Sequence, residues 1–193
     1  MIFVIDTSSA RSALALIDDG RVVHEEIDSS GPGFDLPARY RSITKGRRLT
    51  RVAVATGPGS FTGLRVGVSF GLGVAMGLQV PIVPLPTLGI QAARSDEPVL
   101  AVAEAGRGRV YHSAPGAEPG LADPDELTRD WPVVGWLKPK TEAALHAAGL
   151  RMMGDGDLKS FGEAAARVLE SASEVAYGSL KLKYMQSPSS RNL

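Results

Sequence analysis

The chain has 193 residues, no formal net charge, 44% hydrophobic and 22% charged residues, an ordinary globular composition that allows one large domain or two small ones. It has no cysteine, which excludes disulfide frameworks, iron–sulfur clusters, thiolate zinc sites and cysteine nucleophiles. The longest weakly polar stretch, residues 66–78, carries Ser69 and four glycines and is too short to span a bilayer. The apolar start, MIFVI, stops at Asp6 and lacks the basic flank of a signal peptide. The expectation is a soluble, cytoplasmic protein with no membrane segment.

Residues 2–6 are β-branched and apolar and predict a central strand. Residues 12–17 predict a second, with Ala13, Ala15 and Ile17 on one face and Leu14 and Leu16 on the other. Asp18-Asp19-Gly20 predicts a hairpin turn, because Asp-Gly tolerates the positive φ that tight hairpins demand, and residues 21–28 a third strand. A loop at 29–33 leads to a short helix over 34–43, interrupted near Pro37. A strand at 51–56, a glycine-rich loop at 57–63, a helix at 64–78 and a proline-bearing edge strand at 80–85 follow. Thr87 is placed to cap a helix reaching Arg94, and residues 95–98 read as a linker.

The second half predicts a hairpin of residues 99–104 and 110–113. Residues 114–124 read as loop, 133–136 as a short strand, 141–148 as a helix capped by Thr141, and 160–171 as a helix. The tail after Gly178 is polar, with little to anchor it. The expected division is 1–95 and 96–193.

The zero net charge conceals an asymmetry. Between Asp35 and Asp96 there is no acid, while Arg39, Arg41, Lys45, Arg47, Arg48, Arg51, Arg65 and Arg94 give that window a formal charge of +8. Arg39, Arg41, Arg47 and Arg48 form a basic patch that faces RNA phosphates or an acidic partner. The alternative is a solvated surface balanced by acids from elsewhere in the fold, such as Asp18, Asp19 or Glu25.

Three constellations could carry chemistry. Asp6-Thr7-Ser8 ends a buried strand in a hydroxyl-bearing turn. That arrangement can hold a phosphate and a metal-bound water, or Asp6 simply caps the turn. The run Gly57-Pro-Gly59-Ser60-Phe-Thr62-Gly-Leu-Arg65 feeds a helix N-terminus, an anion site in principle. It is neither a Walker A loop nor a dinucleotide fingerprint. Finally, Gly67, Gly71, Gly73 and Gly77 sit in one helix, each costing up to ~1 kcal/mol relative to alanine. Their repetition predicts close backbone approach to another helix, in this chain or a partner. His24, His112 and His146 stand apart with no metal-ligand pairing, and no serine nucleophile elbow is present. No catalytic or metal-ligating residue is identified.

In this order, the Asp6-Thr7-Ser8 turn, the GPGSFTGLR run, Val80–Leu88 and Arg107-Gly-Arg-Val-Tyr111 resemble the TsaB (YeaZ) family, firmly over residues 1–112 and loosely beyond. The resemblance implies an α/β fold of the actin-like ATPase type (sugar kinase/Hsp70/actin, ribonuclease H-like). That fold has two βββαβα-type halves, the second reduced here. It implies a non-catalytic subunit that scaffolds and activates a larger TsaD-like paralogue. The complex forms N6-threonylcarbamoyladenosine at position 37 of tRNAs reading codons that begin with A, with a TsaE-like ATPase as further partner and a homodimer when isolated. ATP and a metal then belong to the partner subunits, and tRNA is met through the complex. Asp6, Thr7, Ser8, Gly57, Gly59, Ser60 and Thr62 would be a vestigial phosphate site, and Gly67, Phe70, Gly71, Val74 and Leu78 the partner interface. The chain departs from the family in a shortened, basic segment at 29–51, in Glu104-Ala-Gly-Arg107, and in Lys183-Tyr184-Met185-Gln186. The rival reading is a self-sufficient actin-fold nucleotide hydrolase or kinase.

Overall fold

The structure, a computed structural model, describes residues 1–28 and 34–183. The expected loop at 29–33 and the motif residues Tyr184, Met185 and Gln186 lie outside the described residues.

Strands β1 (Ile2–Asp6), β2 (Ser12–Asp18), β3 (Arg21–Asp28), β4 (Arg51–Ala55) and β5 (Ile82–Leu85) form one sheet in the order β3-β2-β1-β4-β5. β1, β2 and β3 pair antiparallel, whereas β4 joins β1, and β5 joins β4, in parallel. The parallel joins require crossovers, supplied by α1 (Leu36–Thr44) and α2 (Phe61–Leu78). After α3 (Thr87–Ala92), a second sheet repeats the order one strand short. It contains β6 (Leu100–Gly106), β7 (Arg109–Ser113), β8 (Gly120–Ala122) and β9 (Val133–Val134), ordered β8-β7-β6-β9. Helices α4 (Pro139–Ala147) and α5 (Phe161–Leu169) follow.

The period of two in β2 sorts the core. Ala13, Ala15 and Ile17 join Val4, Ala53 and Ala55 beneath Ile90, Trp136, Phe161 and Ala165. Leu14 and Leu16 join Phe3, Ile5, Val52 and Val54 beneath Leu36, Ile43, Val68 and Ala75. α5 packs against β2, β3 and α3, so late residues of the chain cover the first sheet. Glu25 accepts the Gly162 N–H there at 2.7 Å. Asp19 and Gly20 take φ of 48° and 73°, as the hairpin turn requires.

Several boundaries differ from expectation. Pro37 stands in the first turn of α1 and starts it rather than interrupting it, where its missing N–H has no helical partner to lose. α2 begins at Phe61 because the Ser60 side chain caps it, accepting from the Gly63 N–H at 3.3 Å. α4 begins at Pro139 with no side-chain cap, so Thr141 is inside it. β8 lies in the expected loop 114–124. The tail is anchored as far as it is described. Leu180 and Leu182 pack on the core, and the Lys183 N–H donates to the Thr56 carbonyl at 2.8 Å.

Candidate functional site

Asp6 ends β1 fully buried, and its Oδ1 accepts from the Ser8 N–H at 2.7 Å and from the Ser8 hydroxyl at 2.6 Å. The carboxylate thus caps its own turn. Its Oδ2 is buried without a partner among the described residues. Burial raises the Asp6 pKa, and the two bonds from Ser8 only offset this.

The glycine-rich loop is clamped onto this turn. Ser60 N–H donates to the Ser8 carbonyl at 2.7 Å, and the Thr7 hydroxyl donates to the Gly63 carbonyl at 2.6 Å. A Cβ at Gly59 would overlap the Ser8 carbonyl, and one at Gly63 the Thr7 carbonyl. The Gly57 N–H donates to Thr87 Oγ1 at 3.2 Å, at a φ of +105° that favours glycine. Thr87 Oγ1 also lies 3.0 Å from Ser8 Oγ. Thr87 is therefore a tie between the loop and the turn, not the cap of α3, which has none. Thr62 is exposed in the first turn of α2. The turn and loop come together as the motifs suggested. The amides of Gly57, Ser60 and Gly63 are already bonded within the chain, and loop backbone fills the space over Thr7 and Ser8.

Asp6→Asn is expected to raise the melting temperature at neutral pH. A raised carboxyl pKa contributes stability that is complete below the unfolded value of 3.8 and is lost as pH rises through the folded value. Asparagine removes that loss, so the gain should shrink toward zero on acidification. Thermal melts across pH check it; a variant less stable than wild type at neutral pH would contradict it.

A cluster beside the turn joins the two sheets. Arg94 is almost fully buried; its Nη2 meets Asp155 at 2.8 Å, and Arg11 Nη1 meets the same carboxylate at 2.6 Å. Both guanidiniums lie over the Trp136 ring, at 5.1 and 5.8 Å from its centroid. The Ala10 N–H donates to the Trp136 carbonyl at 3.3 Å. Burial pushes the Asp155 pKa up, but the hydrogen bonds and charges of Arg94 and Arg11 outweigh it and hold the carboxyl low. Among the described residues, no three His, Cys, Asp or Glu side chains are grouped to hold a metal ion.

The glycines of α2 divide between two faces. A Cβ at Gly67 would strike Thr7 Oγ1, and one at Gly71 would strike Val54 Cγ1. These two serve close packing on the chain's own sheet, not on another helix as their spacing suggested. Phe70 and Val74 are half-buried on the same core, Phe70 meeting Tyr40 edge-on with centroids 5.7 Å apart. Leu78, the last residue of α2, is about half exposed and lines a groove with Arg48 and Val80. Gly73 and Gly77 face open space, on the side of the helix that carries Val66 and Met76 at 50% and 54% exposure. By length and composition this helix is apolar enough to cross a membrane, yet only 28% of it is buried. An apolar face is therefore left open beside the packed one. Sequence reasoning missed Val66 and Met76. Their signal was the i, i+3, i+4 spacing, which puts 66, 69, 73 and 76 opposite the inward glycines.

In the basic window, Arg39 bridges Glu26 and Asp28, at 2.7 Å each, and Arg51 meets Glu174 at 3.1 Å. The acids expected to balance the run do other work: Asp18 meets the N-terminal amine and Glu25 holds Gly162. Arg47 donates to the Ile43 carbonyl at the end of α1. Arg41, Lys45 and Arg48 are exposed and form no ion pair among the described residues.

Residues 42–117 match the family described as "TsaD: tRNA N6-adenosine threonylcarbamoyltransferase". The chain is 30% identical over 159 residues to the tRNA threonylcarbamoyladenosine biosynthesis protein TsaB of Bacillus subtilis, covering 75% of this chain and 69% of that protein. It is 33% identical over 121 residues to TsaB of Escherichia coli, covering 57% of this chain and 52% of the relative. The solved structure titled "YeaZ from Pseudomonas aeruginosa" superposes with a TM-score of 0.74 at 19% identity, over 95% of this chain and 99% of that one. A second structure from that organism, described as having similarity to peptidase YEAZ, gives 0.74 at 20% identity, over 96% and 99%. The fold is of the actin-like ATPase type, and the second sheet is the smaller. On the strength of the Bacillus subtilis match, the chain belongs to the TsaB family.

Proposed function

We propose that the chain is a non-catalytic subunit of the machinery that makes N6-threonylcarbamoyladenosine in tRNA, working in the cytoplasm as scaffold and activator of a TsaD-like transferase. It binds no nucleotide itself; ATP and metal belong to its partners, a TsaE-like ATPase among them. One observation supports the docking role: the outward face of α2, with Val66 and Met76 about half exposed around Gly73 and Gly77. Exposed apolar side chains on an otherwise anchored helix fit a protein interface. The two outward glycines let a partner's backbone approach closely. The engaged Asp6 and the clamped loop speak against a self-sufficient hydrolase or kinase. A second copy of the chain would compete for the same face, which makes a homodimer the resting state of the isolated subunit.

Val66→Asp and Met76→Asp test this in co-purification with the TsaD-like paralogue of the same organism. The wild type should retain the paralogue, and each variant should lose at least about tenfold in affinity, because an interface would bury an unpaired charge. Both positions are open to solvent, so melting should stay near wild type. A wild-type chain that never retains the paralogue would overturn the reading.

A further inference from the structure

We infer that an internal water is held at the junction of the two sheets by Asp6 Oδ2, Gln91 Nε2 and Trp136 Nε1. These are the buried side-chain polar atoms that have no hydrogen-bond partner among the described residues. Buried polar groups are bonded in nearly every case, to protein or to ordered water. The three residues are 0%, 1% and 2% exposed, so bulk solvent does not reach them. They come from three parts of the chain: the end of β1, α3 and the segment after β9.

The fold brings all three into one layer. Asp6 alternates with Val4 along β1, so it projects from the face of the first sheet that Trp136 and Phe161 cover. Ala13 pairs with Asp6 on β2, and Ala55 follows the β4 residue that pairs with Ile5. Both alanines belong to that same face, and their short side chains leave room beside the carboxylate. The bond from the Ala10 N–H to the Trp136 carbonyl ties Trp136 to the turn after Asp6. Thr87, one helical turn before Gln91, meets Ser8, whose hydroxyl donates to Asp6 Oδ1. Gln91 Oε1 accepts from Arg94 Nη1 at 3.4 Å. A guanidinium only donates, so this contact orients the amide and leaves Nε2 on its other side. Arg94 itself lies over the Trp136 ring.

The chemistry of the three atoms selects the occupant. The indole and amide N–H groups donate, and the carboxylate accepts. A cation would meet two N–H groups, and an anion would meet the carboxylate. Water accepts from both nitrogens and donates to Oδ2, which gives it the roughly three bonds typical of an internal water. A third donor to Asp6 reduces the gain expected of Asp6→Asn without reversing it, because burial remains the largest influence on the carboxyl. The water would join the first sheet, the connecting helix and the second half through one molecule.

A crystal structure of the full chain that resolves ordered solvent tests this. Density for a water should lie within about 2.7–3.2 Å of all three atoms. In solution, the chain has two tryptophans, so Trp131→Phe assigns the Trp136 indole N–H by elimination. That N–H should show a cross-relaxation peak at the water frequency, with the sign of a long-lived bound water. Gln91→Met removes one donor at similar side-chain volume and leaves the water two partners. Both the density and the peak should then be lost. Absence of density at the three atoms in wild type would overturn the inference. So would a direct bond between Trp136 Nε1 and Asp6 Oδ2, or a peak that Gln91→Met leaves unchanged. The wild-type density decides the matter by itself if Gln91→Met does not fold.

Discussion

Gly63→Ala is expected to lower the melting temperature by about 10 °C. The added Cβ would overlap the Thr7 carbonyl, which is backbone and has no rotamer to escape into. Relief requires the loop to lift from the turn, and that strains both the Thr7 hydroxyl bond to the Gly63 carbonyl and the Ser60 bond to the Ser8 carbonyl. Overpacking typically costs about 1–3 kcal/mol, and a backbone obstacle places this site at the upper end. For a chain of this size each kcal/mol moves the midpoint by about 2–4 °C. Gly73→Ala, in the same helix, is the matched control. Its Cβ meets open space, so relief of the glycine penalty, about 1 kcal/mol, should raise the midpoint by a few degrees. Thermal denaturation of the two variants decides the matter: equal midpoints would mean that the clamp between loop and turn contributes nothing.

Trp136→Ala is expected to cost about 3–5 kcal/mol, or roughly 10–15 °C. The side chain is buried at the junction, its ring 5.8 Å from Phe161 of α5 and beneath both Arg94 and Arg11. Its removal leaves a cavity and strips the face from a buried guanidinium, so the two sheets lose their shared anchor. Denaturant unfolding followed by far-UV circular dichroism checks this. A loss no larger than that of a surface substitution would show that the sheets hold together by other means.

The opening of the fold was legible because its determinants are local. The alternation in residues 12–17, the Asp-Gly turn and the β6–β7 hairpin each follow from a period or a turn residue a few positions away. Much of the site was not legible because its partners are remote in sequence. Thr87 looks like a helix cap from its neighbours, yet its hydroxyl serves Ser8, 79 positions earlier. Ser60 looks like part of a flexible glycine run, yet it caps α2. The glycines of α2 announced close packing but not with what, since Gly67 and Gly71 meet strands and only Gly73 and Gly77 remain open. In the basic run, the split into neutralised and free cations depends on where β3 passes. Membership of the family was readable from the order of its motifs along the chain.

Tyr177 sets one further consequence. Its hydroxyl faces two carbonyls, of Ala75 at 3.2 Å and of Val80 at 2.8 Å, about 100 residues earlier in the chain. Those carbonyls flank the point where α2 ends and the chain turns left-handed at Gln79. A helix end held in this way frays less, and a binding surface that does not have to be ordered on association loses less affinity to entropy. The segment after α5 therefore acts as a tensioner for a face it never touches. In the proposed complex, sequence changes confined to it would alter affinity without altering a single docked side chain.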